Sequence, residues 1–254
     1  MNRDELKDFL EFMVDKYNRP GFIELDPISI PHMYQEKEDI EISGFLTATI
    51  SWGTRSMILK NANRMMLLMG NSPYDFILHH SDSQLEKIEG VLHRTFNCVD
   101  FIYFIKALRH IYVKYNGLEA IFSTYQTNDS LQPAISQLKQ IFFEISHPVR
   151  STKHISDPQK GSAAKRINMY LRWMIRKDNR GVDFGLWKSI SPSTLSCPLD
   201  VHSGNVARKV GLLTRKVNDS IAVEELDHNL RDFDCVDPVK YDFALFGLGV
   251  NEKF

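Results

Sequence analysis

The chain has 254 residues, 43% hydrophobic and 25% charged, with a formal net charge of −1. That length supports one large domain or two small ones with a full core, and the near-neutral balance argues against a generic nucleic-acid coat. No run approaches eighteen apolar residues, and the charged start M-N-R-D-E-L-K-D lacks the apolar core of a secretion signal, so no membrane span and a cytoplasmic location are expected.

Residues 2–18 place Leu6, Phe9, Leu10, Met13, Val14 and Tyr17 at three- and four-residue steps, an amphipathic helix ending before Pro20-Gly21. Pro20, Pro27 and Pro31 predict an extended loop over 19–34. A second helix starts near Gln35 and runs to Trp52, apolar nearly all round in its later part and therefore central and buried. Gly53-Thr54 breaks it, with Thr54 able to cap the helix that follows. Asn71-Ser72-Pro73 turns into a short helix, and residues 97–115 form a helix with a broad apolar face that Gly117 stops.

Helices over L-E-A-I-F-S-T-Y and from Ser130 onward come next, the latter with Pro133 in its first turn, where it is tolerated. A polar connector spans 148–160. Two helices close the chain, one from Ser220 and one that Asp237 caps with Pro238 at its first position. No alternating strand pair, repeat or low-complexity tract stands out. The expected fold class is all-α, with ten or more helices in a single unit over 1–254.

Cys98, Cys197 and Cys235 are far apart and odd in number, so a disulfide framework and a four-cysteine iron–sulfur site are not supported, and reduced, mostly buried thiols are expected. The nine histidines are scattered; His79-His80 alone makes no metal-ligand set, so no metal is expected. Charge is uneven. Between Arg150 and Arg180, nine Lys/Arg face Asp157 and Asp178, a local +7 against −8 for the remainder. A basic face on an acidic body suits an anionic ligand, although charge runs are more often solvated helix faces.

The chemistry gathers between Lys160 and Leu213. K-G-S-A-A-K-R-I-N-M-Y-L-R-W-M-I-R-K reads as a helix from Ser162 that places Lys165, Met169, Arg172 and Arg176 on one face. Lys165 falls in the first turn beside Gly161, where a backbone can approach a phosphate and helix N–H groups attract an anion. A lysine amine held beside other cations can act as a nucleophile; an ordinary phosphate-binding or solvated lysine is the plainer account. In S-C-P-L-D-V-H-S-G-N-V-A-R-K-V-G-L-L, Asp200 is placed to cap a helix, and a capping carboxylate beside an amine can also offset positive charge on a ligand.

C-P-L-D-V-H-S-G-N-V-A-R-K-V-G-L resembles the V-P-V-D-V-H-type segment of the helix-hairpin-helix DNA glycosylases, and K-G-S-A-A-K-R-I-N-M-Y-L-R-W-M resembles their hairpin and catalytic-lysine helix. The longer interval between Lys165 and Asp200 is nearest the archaeal 8-oxoguanine glycosylase branch. S-G-F-L-T-A-T-I-S-W-G-T-R-S resembles the family's L-S-A-Q-x-T helix end. The chain is also similar to a bacterial family known only as a domain of unknown function. Three features depart from the pattern. Pro158-Gln159-Lys160-Gly161-Ser162 stands in place of the usual Leu-Pro-Gly-Val-Gly hairpin, Gly53 falls where many relatives carry a DNA-inserting glutamine, and the cluster cysteines of the endonuclease III branch are missing.

The resemblance implies two helical lobes with a cleft between them, and a monomer acting on double-stranded DNA in base-excision repair without cofactor or iron–sulfur cluster. A damaged, oxidised-purine-like base would flip into the cleft. Lys165 would attack the sugar C1′ with AP-lyase strand cleavage to follow, and Asp200 would orient or deprotonate the lysine. Lys160, Gly161, Ser162, Arg166, Arg172, Arg176 and His202 would meet phosphates, which set register rather than read sequence. Trp52, Trp173 and Trp187 are the candidates for stacking on the base, with core packing the competing account of each. The alternative is a non-catalytic helix-hairpin-helix nucleic-acid-binding protein, and a third reading is a helical scaffold for a protein partner.

Overall fold

The computed structural model describes residues 1–127, 129–252 and 254. Among them the fold is all-α apart from one small hairpin. Its helices are α1 (Arg3–Tyr17), α2 (Lys37–Thr49), α3 (Arg55–Leu68), α4 (Pro73–His79), α5 (Asp82–Glu86), α6 (Cys98–Tyr115), α7 (Leu118–Tyr125), α8 (Gln132–Phe142), α9 (Lys165–Ile175), α10 (Val201–Lys209), α11 (Ser220–Phe233) and α12 (Tyr241–Asn251). The hairpin pairs β1 (Val91–His93) with β2 (Phe96–Asn97). Strands of three and two residues are too short to show an alternating pattern, which is why no strand pair was expected.

The proline-rich stretch differs from the expected extended loop. Each proline opens a 3₁₀ turn: Pro20–Leu25, Pro27–Ser29 and Pro31–Met33. The fixed proline φ suits the first position of such a turn, where its missing N–H is no loss. Thr54 precedes α3 without a side-chain capping bond. Asp237 also caps nothing with its side chain; Pro238–Lys240 is a 3₁₀ turn, α12 starts at Tyr241, and the carboxylate holds Arg176 instead. Of the three free cysteines, Cys197 is buried, Cys98 half-buried and Cys235 exposed, so most of the thiols are not in the core.

Buried apolar side chains fall into two clusters. The larger gathers Ile28 through Ile190, with Val239 and Phe243, around α2, α6, α8 and α9. The smaller joins Leu6, Leu10, Met13 and Val14 of α1 to Leu199 and the helices that follow, ending at Leu248. The first helix therefore packs against the last. Two glycines of α12 let this happen: a Cβ on Gly247 would lie 2.2 Å from the Tyr17 ring, and one on Gly249 would lie 3.0 Å from the His202 backbone oxygen. The start of α10 is thus held against α12.

Helix α9 is buried from Ile167 to Ile175, and the burial extends to Arg176 at its end. Arg172 donates to Asp242 at 2.5 Å and to Asp183 at 3.2 Å. Arg176 pairs with Asp183 (3.1 Å), Asp237 (2.9 Å) and Asp178 (2.8 Å). Both guanidinium groups also lie over the Phe243 ring, at 4.3 and 5.4 Å. Their expected role as phosphate contacts is corrected: at 3% and 2% exposure they cannot reach a DNA backbone, and their charge is matched from within. A buried guanidinium must be paired, because desolvation otherwise outweighs its interactions. Arg172→Ala leaves Asp183 and Asp242 short of their partner in the interior; urea unfolding should register a loss of about 3–5 kcal/mol.

The connector before α9 is latched by Asp100, fully buried at the start of α6, which accepts from Ser151 (2.8 Å) and Arg150 (3.0 Å). His154 sits 3.4 Å from the same carboxylate, between the rings of Trp52 and Phe96. Burial pushes the His154 imidazole down to about 4, against the pull of Asp100. Its unfolded value is about 6.5, so its neutral form supports the fold above that pH, and this support drains away as pH falls towards 4. Urea midpoints should drop over that window by the equivalent of about 2 kcal/mol, and His154→Gln should flatten that part of the profile.

Candidate active-site cleft

Where the two clusters meet, a cleft of about 780 Å³ opens. That volume lies in the range of small-molecule sites, roughly 300–1,000 Å³. Its walls come from the chain around Asp26, the Trp52–Arg55 corner, the Ser162–Arg172 stretch, the Pro198–His202 turn, Asn218 and α12.

Lys165 and Asp200 face each other across it, with Nζ 3.9 Å from Oδ2. The Asp200 carboxylate divides its work. Oδ1 accepts the backbone N–H groups of His202 (2.8 Å) and Ser203 (2.9 Å), while Ser203 Oγ accepts from the Asp200 N–H, a complete capping box for α10. Oδ2 points at the amine. The sequence reading of Asp200 as a cap and its reading as the lysine's partner are thus two oxygens of one group. Lys165 Nζ also lies 3.8 Å from the Met169 sulfur, and among the described residues no shorter hydrogen bond ties the amine down.

Helix α9 begins at Lys165, three residues later than expected, because the preceding backbone is not helical. Ala164 is left-handed (φ 45°), a conformation that crowds the Cβ of any L-residue, and Gly161 is left-handed as well (φ 85°). Among the described residues no side chain caps α9. Its N-terminus opens onto the cleft, where unpaired N–H groups and the helix dipole favour an anion.

The other expected site residues are distributed unevenly. Ser162 and His202 line the cleft, while Lys160 and Gly161 are exposed on the turn beside it. Arg166 lines the cleft, but its donors turn inward to the carbonyls of Thr49 and His154, and its guanidinium lies 4.9 Å from the centre of the Trp52 ring. Burial draws that guanidinium down to about 10. Arg166 therefore braces α2 against the connector, and its assignment to a phosphate is corrected on that ground.

Trp52 is half-buried and forms part of the cleft wall. Trp173 and Trp187 do not belong there. Both are in the core, at 0% and 1% exposure, and Trp187 donates its indole N–H to buried Glu41 at 2.7 Å. Trp173 is taken up by the interior with the rest of buried α9, and Trp187, in the loop that follows, by its packing on Tyr170 and Phe122, which corrects the stacking role for these two.

Sequence reasoning missed several cleft residues: Asp26, Asp242, Arg55, Phe22 and Phe246. Asp242 had a signal, being an acid on the otherwise apolar helix Y-D-F-A-L-F-G-L. Burial pushes its carboxyl up to about 6, with Arg172 opposing and Asp200 adding to the rise. Asp26 had only its place before a proline. Among the described residues no group of three or more His, Cys, Asp or Glu is arranged to hold a metal ion, and no helix is long and apolar enough to cross a membrane.

The family model described as "Protein of unknown function (DUF2400)" matches residues 26–251. The chain belongs to that family. The matched span begins at Asp26 and takes in every cleft residue except Phe22, whereas α1 lies outside it. Comparison with curated proteins and with solved structures gave no match.

Replacing Asp200 separates its two tasks. Asp200→Ala removes the cap and should cost about 1 kcal/mol in denaturant unfolding, whereas Asp200→Asn keeps an acceptor for His202 and Ser203 and should cost clearly less. Both remove the charge facing Lys165.

Proposed function

We propose that the protein is a base-excision DNA glycosylase with AP-lyase activity, acting on double-stranded DNA that carries a damaged base. The observation that carries this reading is the Lys165 amine at 3.9 Å from the Asp200 carboxylate, inside a cleft large enough for an extruded nucleotide. The residues are those that the resemblance to helix-hairpin-helix glycosylases singles out. The two apolar clusters with the cleft at their meeting support the two-lobed arrangement of that superfamily.

In the proposed reaction, Lys165 loses a proton to Asp200 and its Nζ forms a bond to C1′ as the C1′–N glycosidic bond breaks. The base leaves with the electron pair and takes up the proton that Asp200 received from Lys165. Opening of the sugar then breaks C1′–O4′, with a second proton, from Nζ, going to O4′, and leaves an imine between Nζ and C1′. Once it has passed its proton to the departing base, Asp200 is negative again and offsets the positive charge at the sugar and imine, an electrostatic contribution of the kind that carries most enzymatic rate enhancement. Trp52 offers an aromatic face, and the open N-terminus of α9 with the turn at Lys160–Ser162 suits a flanking phosphate. The buried arginines take no part in docking.

Borohydride reduction traps such an imine as a stable protein–DNA adduct. Duplexes carrying 8-oxoguanine or a preformed abasic site should yield an adduct with the wild-type protein and none with Lys165→Gln. Absence of adduct with wild type, or an undiminished one with Lys165→Gln, overturns the assignment.

A further inference from the structure

Asp26 is the cleft residue whose environment the reaction above leaves unexplained. It is 7% exposed, yet it lines the cleft. Its Oδ1 accepts the Ile28 N–H at 3.1 Å. Among the described residues nothing donates a hydrogen bond to Oδ2, and no cation lies within ion-pair distance of either oxygen. Arg172, Arg55 and Lys165 are near enough to act on it through space, but burial outweighs them and pushes the carboxyl above its usual range. The group is held in place. Asp26 joins two 3₁₀ turns, Pro27 fixes the backbone on one side, and the Ile28 side chain is fully buried behind it.

Oδ2 meets the cleft without a protein donor, so a ligand that brings donors completes a carboxyl that is otherwise largely withdrawn from water. The partner that fits best brings two parallel N–H groups, because a carboxylate accepts such a fork at both oxygens at once. Oδ1 keeps a lone pair after binding Ile28, so both oxygens are available. Among nucleobases, the guanine-type edge alone sets a ring N–H directly beside an exocyclic amino group. Adenine and cytosine place one donor beside an acceptor, and thymine flanks its single N–H with carbonyls.

We propose that Asp26 is the specificity residue of the cleft, accepting the ring N–H and the 2-amino group of a guanine-type base. This rests on the glycosylase reading for why a base enters the cleft, but the recognition itself is a separate property. It narrows the substrate class to purines that keep the 2-amino group, whether oxidised or not.

Equilibrium binding of 2′-deoxyguanosine and 2′-deoxyinosine, which differ only in the 2-amino group, tests it by calorimetry or by fluorescence of the cleft tryptophan. The wild-type protein should favour deoxyguanosine by roughly tenfold, the size of a good bidentate base contact. Asp26→Asn, which keeps an acceptor for Ile28 but sets an amide where Oδ2 was, should lose that preference. Equal affinity of the wild type for both nucleosides, no binding of either at millimolar concentration, or an unchanged preference in Asp26→Asn overturns the proposal.

The two readings fail separately. Borohydride trapping of the wild type on a preformed abasic site involves no base and probes Lys165 alone. Lost trapping with the nucleoside preference intact removes the lysine chemistry and leaves Asp26 standing; intact trapping without the preference removes Asp26 and leaves the lysine.

Discussion

Two arginines in the middle of a protein set the terms for everything around them. Arg172 and Arg176 lie on a helix buried all round, and a guanidinium in such a place is tolerated only where carboxylates meet it. Four do: Asp178 and Asp183 from the loop that follows α9, and Asp237 and Asp242 from the approach to α12 and its first turn. Segments far apart in sequence are thereby forced onto one helix. The rotation of α9 about its axis is fixed as well, since turning it would break five ion pairs at once. That rotation leaves Lys165, at the helix's open end, directed into the cleft.

The same economy of charge runs through the cleft. Asp200 caps α10 with one oxygen and faces Lys165 with the other, so a structural requirement of the helix delivers a carboxylate to the amine. Asp242 neutralises Arg172 on the core side while its residue lines the cleft on the other. Removing any of these groups changes both stability and the field at Lys165. Variants that keep shape and hydrogen bonding while removing charge are therefore more informative than truncations.

Asp26 differs from these in having one oxygen to which no described residue donates. Its Oδ2 opens to the cleft, where the proposed ligand would supply the missing donors. On the proposed reading the site divides into a reactive side, built on the starts of α9 and α10, and a recognition side carried by the proline-ordered segment and the Trp52 corner. The first depends on helix ends and the second on loops held by 3₁₀ turns, so the two sides can vary independently on one scaffold.

Periodicity and capping chemistry made the helices legible from the sequence. The step pattern of α1, the unbroken apolar run of α2 and the Asp200 cap are local properties, fixed by residues within a turn or two of one another. The pairing of Lys165 with Asp200 was legible only through resemblance, because nothing in the spacing alone brings residues 35 positions apart together. What the sequence misjudged was the destination of the large and charged side chains on α9. Arg172 and Arg176 read as the outward face of a basic helix, and they are interior because acids and an aromatic ring from later in the chain close over them; Trp173, a candidate for stacking on a base, is in the core, the competing account of it. Burial is a property of what packs against a residue, and that partner can come from anywhere in the chain. The amphipathic helices, the Asp200 cap and the chemical types belonged to the sequence by itself; which other caps form, which charges meet solvent, which meet one another and which face the cleft was decided only by the tertiary structure.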